Sequence, residues 1–570
     1  MPSIIKKLKN GKAYYFAVQC KRVNGKPRIV WQKYLGSVAA IIKQFEQNQA
    51  PTPTETVLFE AGGVAALLSI ATRLGLIDLI NEIVPKRDQG PSVGHYIVLA
   101  ALNRVLDPES KSQIGDWYHN TSLQRLWGFS PDLFTSQSYW NHMDTISDDA
   151  IEKIQNFLAN RIRENFTIDT QPLLYDSTNF FTYINSHNER NTIAKRGKNK
   201  QKRSDLRQVN LALLTTREFQ IPLLHKTYDG SCPDVKFFPD IVRDLLQRHA
   251  AISGNQDPTL VFDKGNLSEE TREKLLYSGI YFVAGIKAEV LPEVFATPID
   301  QFQEALKMPG SKFYETAVEL DGKSCKVVVS YSESFFTEQL AAVTATMTKC
   351  QNQLKDLQNH LLSWSGEKKP KGPRPTAAKI KERLKQILST QFMEKVFSAN
   401  FTENDGIFNL RYSVNREGLG NLTATHLGRT LLITNRQSWL PTEVISCYRD
   451  LANIEEAFKL MKNRDYLRWQ PAFHWTDQKI KVHSLYCVLA LLLATLARKM
   501  AWEAGMELSL PSLLDDLSGM KEVAILYPAP KGGKLKTHFT MNKMNPRQKK
   551  LAELFEIGEV LSRGSVSVPS

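Results

Sequence analysis

Cysteine is scarce in this chain: 570 residues hold six, at positions 20, 232, 325, 350, 447 and 487, and none forms a C-x-x-C pair. That scatter argues against a zinc site and a disulfide framework, and it fits a reducing cytosol. Acid is missing from residues 1–45, which carry ten Lys or Arg. The N-terminus has lysines but no apolar segment behind them, so no secretory signal is expected. Long apolar runs are missing too. The longest, Leu485 to Ala497, is too short to span a bilayer and reads as a buried helix. These absences point to a soluble protein of the cytoplasm, with no membrane partner.

What is present is positive charge. There are 73 Lys+Arg against 59 Asp+Glu, for a sequence pI near 9.2. A basic chain favours a polyanion, with nucleic acid first and an anionic membrane surface second. A second basic cluster, Arg190 to Arg207, contains Lys195, Arg196, Lys198, Lys200 and Arg203. Such blocks are often solvated tails. Two of them beside an acidic constellation favour nucleic acid.

The pattern divides the chain into successive regions. Residues 1–50 read as a small basic β unit, with strands at Ala13–Val18 and Arg28–Trp31 about an Asn24-Gly25 turn. Residues 51–168 are mainly helical, with apolar spacing through Val64–Ile80 and Tyr96–Val105; they suit a DNA-binding domain or a scaffold equally. Residues 169–287 turn to strands: Leu173–Asp176, Val209–Thr215, Ile221–His225, Thr259–Asp263 and Ile280–Gly285, with helices at Val235–His249 and Ser268–Tyr277. The order β-β-β-α-β-α-β predicts a mixed α/β sheet with flanking helices. Residues 288–428 read as an α+β insertion, with a β-hairpin about Asp321-Gly322 and a helical hairpin. In the latter, Leu340, Val343, Met347, Cys350, Leu354, Leu357 and Leu361 make a heptad seam. The seam suits a hairpin packed on itself or a dimer contact. Residues 429–505 resume the core, with Thr442 as the expected cap of the following helix. Residues 506–570 read as a basic tail, rich in Pro and Gly after Tyr527.

Three acids stand out. Asp176 and Asp263 each end an apolar strand pattern, and Glu455 lies on a helix pattern running from Tyr448 to Lys462. Tyr448, Glu455 and Lys462 recur every seven residues, close to two turns, so they share a stripe. That stripe flanks the apolar one of Leu451, Ile454, Phe458 and Met461, so Glu455 reaches the core's edge while Glu456 points to water. Strand-end aspartates are commonly turn formers, and Glu/Lys flanks are commonly surface ion pairs. The chemistry gives the set joint meaning. Phosphodiester hydrolysis or transfer uses two hard divalent ions roughly 3.5–4 Å apart, and Mg²⁺ takes a few carboxylates and keeps several waters. No phosphate loop, His/Cys ligand spacing or nucleophile-elbow motif competes.

With these residues in hand, the chain resembles the DDE-type bacterial insertion-sequence transposases of the Y-(2)-R-(3)-E-(6)-K group. The likeness is carried by Tyr175-Asp176-Ser-Thr178, by Val261-Phe-Asp263-Lys-Gly265, and by Tyr448, Ile454-Glu455-Glu456 and Lys462. Asp205-Leu-Arg-Gln208 and Leu432-Ile-Thr-Asn435 add to it, over roughly residues 170–500. At the signature's arginine position the chain has Leu451, with Arg449 nearby on another face. The resemblance implies a ribonuclease-H-like core with an insertion before the last catalytic helix. It implies that Asp176, Asp263 and Glu455 hold two Mg²⁺ ions, with Mn²⁺ as a substitute, for DNA cleavage at transposon ends and strand transfer into target DNA. Lys462 and Tyr448 are then expected to contact DNA. The two basic regions, including Lys195, Arg196, Lys198, Lys200 and Arg203, are expected to bind phosphates. The partners implied are double-stranded DNA and a second copy of the chain.

Other readings share these residues. A catalytically inactive DNA-binding relic would not need the intact Asp/Asp/Glu set. A two-metal nuclease that cuts without joining would use the same site. A carboxylate-pair glycosidase would leave the basic clusters without a role.

Overall fold

The computed structural model describes residues 2–23, 26–47, 52–85, 89–185, 187–199, 201–254, 257–364, 366, 370–404, 407–470, 472–528 and 536–564. Asn24-Gly25, read as a turn, lies outside them, as does Lys200.

The body is mixed α/β, built on a nine-stranded sheet. Its strands are β1 (Leu173–Thr182), β2 (Arg207–Thr216), β3 (Pro222–Asp229), β4 (Thr259–Phe262), β5 (Tyr281–Gly285), β6 (Gln303–Glu304), β7 (Ser311–Leu320), β8 (Lys323–Ser332) and β9 (Arg429–Thr434). The spatial order is β6-β7-β8-β9-β5-β4-β1-β2-β3. Strands β1, β2 and β3 form an antiparallel meander, while β4 runs parallel to β1 and β5 parallel to β4. This mixed sheet follows from the connections: short turns join the meander, and helices α1 (Asp234–Ser253) and Glu269–Tyr277 carry the parallel crossovers. β2 lies between β1 and β3 and is covered on both faces, so Val209 to Thr216 are all buried.

The hairpin about Asp321-Gly322 belongs to this sheet, because β8 pairs along β9 from Lys326↔Thr434 to Tyr331↔Arg429. Helices α2 (Glu333–Ser363) and α3 (Ala377–Leu388) follow. Val343, Cys350, Leu354 and Leu361 of the heptad seam are buried with Ile380, Leu384 and Ile387 and with the hairpin Phe397–Asn404/Ile407–Val414. The seam is thus satisfied within the chain.

After β9 the chain enters α4 (Pro441–Arg449), α5 (Leu451–Met461) and α6 (Asp477–Glu503). The single helix expected through Tyr448 and Glu455 is two, divided at Asp450, whose carboxylate accepts from Arg217 at 2.6 Å. Thr442 is not the cap: Pro441 opens α4, and the Glu443 carboxylate accepts the Leu440 N–H at 2.7 Å. α6 outruns the apolar segment seen in sequence. Its 27 residues are long and apolar enough to cross a membrane by length and composition, and 94% of that apolar window is buried inside the protein.

The N-terminal helices Gly62–Arg73, Leu76–Ile83 and Val93–Leu106 pack into the same core as α6 and the sheet, the first two meeting at 53° where Gly75 has φ +60°. Residues read as a tail are built into this body as well. Strand Lys521–Tyr527 pairs with Glu55–Glu60 and with Lys536–Met541, and Leu551, Phe555 and Ile557 are buried.

Where Val93–Leu106 meets α6, basic side chains are buried together. Arg104 is 3% exposed and donates to the Arg468 carbonyl at 3.0 Å. Lys111 donates to the Tyr486 hydroxyl at 2.6 Å, and its Nζ lies 3.4 Å from His474 Nε2. His474 Nε2 is 2.9 Å from His483 Nδ1, and His483 Nε2 donates to the Trp469 carbonyl at 2.6 Å.

Candidate active site

β1 is longer than its apolar start suggests. Asp176 is its fourth residue rather than its end, paired with Leu213 of β2. The strand continues because Phe180 and Thr182 still alternate into the core. Asp263 directly follows β4, where the chain turns into a short helical turn at Lys264–Asn266. Glu455 lies on α5, which buries Ile454, Ala457, Phe458 and Met461 and so fixes Glu455 on the flank. Glu456 is paired with Lys459 in solvent.

Asp176 and Glu455 line one open cleft of about 860 Å³. Arg196, Lys198, Lys459 and Lys462 line it too, as does Asp234 at the start of α1. Asp176 is pushed up to about 7 by burial first, and then by Asp234, Glu455 and Asp263, against a backbone hydrogen bond at Ser177 that lowers it. Asp234 accepts from the Tyr228 hydroxyl at 2.5 Å. Sequence reading missed Asp234, since an acid in a helix's first turn is ordinary.

Asp263 faces a different neighbour. The Tyr448 hydroxyl donates to its Oδ1 at 2.7 Å, and burial and this carboxylate hold the phenol well above its ordinary value. Gly285, at the end of β5, makes that contact possible. A Cβ there would meet the Tyr448 hydroxyl at 2.5 Å and Lys264 Cβ at 3.0 Å.

Lys462 caps the end of α5 and donates to Thr178 Oγ1 at 2.6 Å, with its ammonium 5.2 Å from the Phe180 ring. Phe180 stacks on Trp469 at 4.7 Å, so the lysine rests on a packed aromatic floor. At the signature's arginine position, Leu451 is half-buried against the core. Arg449 is directed elsewhere, donating to Ser311 Oγ at 3.0 Å.

The basic cluster divides. Lys195 is ion-paired to Asp229 at 2.5 Å and Arg203 to Asp205 at 2.7 Å. Arg196 and Lys198 line the cleft and make no ion pair with a described residue. Asp477 of α6 ties the loop's start, accepting the N–H groups of Thr192 and Ile193 at 2.7 and 3.1 Å. Gly230 closes the other side: a Cβ there would meet the Gln208 carbonyl at 1.8 Å.

The donor set suits a hard divalent cation. Burial first, and then the carboxylates of Asp234, α5 and the β4 end, raise Asp176, and a cation would offset both. Among the described residues no three of these acids converge on one point. Mg²⁺ does not require three, since one or two carboxylates plus waters and phosphate oxygens complete its shell.

Against the expectation that no nucleophile-elbow motif is present, one such spacing occurs, and it has a structural role. Gly90-Pro-Ser92-Val-Gly94 has the spacing of a nucleophile elbow, but Ser92 caps Val93–Leu106 and lies 2.7 Å from His95 Nδ1 as half of a capping box.

No family model matches the chain, and no curated protein does. Among solved structures it is similar to the piggyBac transposase synaptic complex with hairpin DNA seen by cryo-EM, at 8% identity over 82% of each chain and a TM-score of 0.36. A superposition at that score fixes neither a common fold nor a common site.

Proposed function

We propose that this chain is a DNA transposase of the DDE type, with a ribonuclease-H-like core and a Y-(2)-R-(3)-E-(6)-K signature that runs across α4 and α5, Leu451 replacing the arginine. The observation that carries the reading is the single cleft. Asp176 and Glu455, far apart in sequence, line it together with Lys462, Arg196 and Lys198, and Asp263 is near enough to raise Asp176. The meander followed by two parallel strands, in the order β3-β2-β1-β4-β5, supports the core assignment. In this reading Asp176, Asp263 and Glu455 hold two Mg²⁺ or Mn²⁺ ions. Bound there, the ions would activate the attacking oxygen and stabilise the leaving one.

The chain's own groups do the rest. Lys462, steadied by Thr178 and Phe180, holds a phosphate beside the scissile bond. Tyr448 orients Asp263 through its hydroxyl and meets DNA nearby. Arg196 and Lys198 draw the backbone into the cleft, a sequence-independent and salt-sensitive attraction. The substrate is double-stranded DNA, cut at the element's ends and joined to target DNA by a homodimer on the bacterial chromosome in the cytoplasm.

The test is strand cleavage and strand transfer on labelled duplexes from the DNA flanking the protein's own reading frame, with Mg²⁺ or Mn²⁺. Glu455→Gln is expected to lose activity on the order of 10³-fold while still binding DNA. Glu456→Gln is expected to keep it. Binding without any cutting by the wild type would favour the inactive relic. Cutting without joining would favour the nuclease.

A further inference from the structure

The N-terminal unit is almost without a core. Strands Pro2–Lys9, Lys12–Val23 and Lys26–Gly36 form an antiparallel sheet followed by helix Val38–Gln47. Val18 is its one buried large side chain among the described residues, and none of them joins the hydrophobic core of the body. Three strands with so little buried surface are marginal alone.

Its two faces differ. Residues paired across strands share a face. One face gathers its own rings, with Tyr34 56% exposed at their edge. Phe16 and Tyr34 lie 5.1 Å apart, Tyr14 and Tyr34 6.0 Å, and Lys7 sits 4.8 Å from the Phe16 ring. On the other face, Lys6 pairs with Tyr15, Gln19 with Trp31, and Lys21 with Arg28. Trp31 is 47% exposed, and Ile4 and Leu8 on the same face are 67% and 70% exposed. Lys21 opposite Arg28 is a like-charge pair, which destabilises a sheet. No acid in residues 1–45 offsets it.

We infer that this open face is a DNA-reading surface that docks in the major groove of a duplex. The inference rests on the DNA-acting reading above. A polyanion supplies the charge that the unit lacks and relieves the Lys21–Arg28 repulsion. The dimensions agree. The major groove, roughly 12 Å wide, admits a two-stranded β-ribbon, and the pair Lys12–Val23/Lys26–Gly36 carries Gln19, Lys21, Arg28, Trp31 and Lys33. Lys21, Arg28 and Lys33 meet phosphates. Gln19 and Trp31, side by side on the same face, meet base edges, where a glutamine amide recognises adenine and a ring packs on thymine methyls.

The test uses the full-length protein and fluorescence anisotropy. One fluorescein-labelled duplex comes from the DNA flanking its reading frame, and another has random sequence. A K21A/R28A/K33A variant is expected to weaken binding to both at least tenfold and to shrink the slope of log K against log salt by roughly two to three. A charge-retaining K21R/K33R variant is expected to bind as wild type, which separates charge from folding. Gln19→Ala is expected to reduce the preference for the flanking duplex with an unchanged salt slope. If the alanine variant binds both duplexes as wild type while R196A/K198A is weakened, the inference fails and the transposase reading survives. If the wild type binds no duplex and never cuts, both fail.

Discussion

Two clusters of like charge meet at Trp469. On one side its ring stacks on Phe180 beneath Lys462, at the cleft where Asp176, Asp234 and Glu455 gather. On the other it lies edge-on to His483, among Arg104, Lys111, His474 and Tyr486. The acids open onto solvent beside four cationic side chains, so their repulsion can be relieved by something that enters. The bases are packed inside, Arg104, His474 and His483 buried and Lys111 half-buried, and neither Arg104 nor Lys111 pairs with an acid among the described residues. Their repulsion is relieved by giving up protons. Burial first, then the neighbouring cations, hold both histidines well below their ordinary value and bring Lys111 down to about 7. Burial raises the cost of charge in both places. An open site keeps that cost available for binding, and a closed one removes it by neutralisation.

The largest effect belongs to Asp176→Asn. Folding raises this carboxyl from 3.8 to about 7. Between those values the folded chain binds more protons than the unfolded one, so the group's contribution falls as pH rises and its penalty is complete above about pH 7. In EDTA the variant should therefore be more stable than wild type at pH 8, by about 1–3 kcal/mol, and equal to it near pH 4. It should also lose cleavage on the order of 10³-fold. Mg²⁺ should raise the wild-type Tm at pH 8 and leave the variant's unchanged. A wild-type Tm indifferent to Mg²⁺ and Mn²⁺ would mean that no cation relieves the cleft.

The closed cluster gives a smaller effect of opposite pH sense. The Lys111 ammonium falls from 10.5 to about 7 on folding. Between those values the unfolded chain binds more protons, so stability rises with pH, and the penalty is complete below about pH 7. Lys111→Met should stabilise the protein by about 1–2 kcal/mol at pH 6.5 and lose that gain toward pH 10. Urea unfolding across that range checks it. A gain that does not vary with pH would show that packing, rather than charge, is at stake.

The sequence carried these two regions unequally. The strands, their order and the mixed sheet were legible, because periodicity and turn residues such as Arg217–Gln220 mark them. So was the α5 stripe, since Ile454, Phe458 and Met461 recur at helical spacing. The break at Asp450 was not, and the Arg217 that holds its carboxylate is over two hundred residues away. Asp234 was hidden as an ordinary first-turn acid, and Gly285 as an ordinary strand-end glycine. The buried basic cluster was illegible altogether. Arg104, Lys111, His474 and His483 share no spacing, and only the packing of Val93–Leu106 against α6 brings them together.

Asp263 falls between the two cases, and it offers the finest test. It belongs to the acidic set, yet its charge is met from within by the Tyr448 hydroxyl at 2.7 Å. That contact depends on the missing side chain of Gly285, where a Cβ would stand 2.5 Å from the hydroxyl. Gly285→Ala should push the hydroxyl off Asp263, at about 1–2 kcal/mol of stability and roughly tenfold in cleavage. Tyr448→Phe should cost less stability, because it loses only the hydrogen bond and introduces no clash. The double variant should then cost less than the two singles added, a coupling of about 1 kcal/mol in a double-mutant cycle, with a residual penalty from Lys264 Cβ at 3.0 Å and the ring Cζ at 3.1 Å. Additive stabilities would mean that Gly285 matters for some reason other than Tyr448.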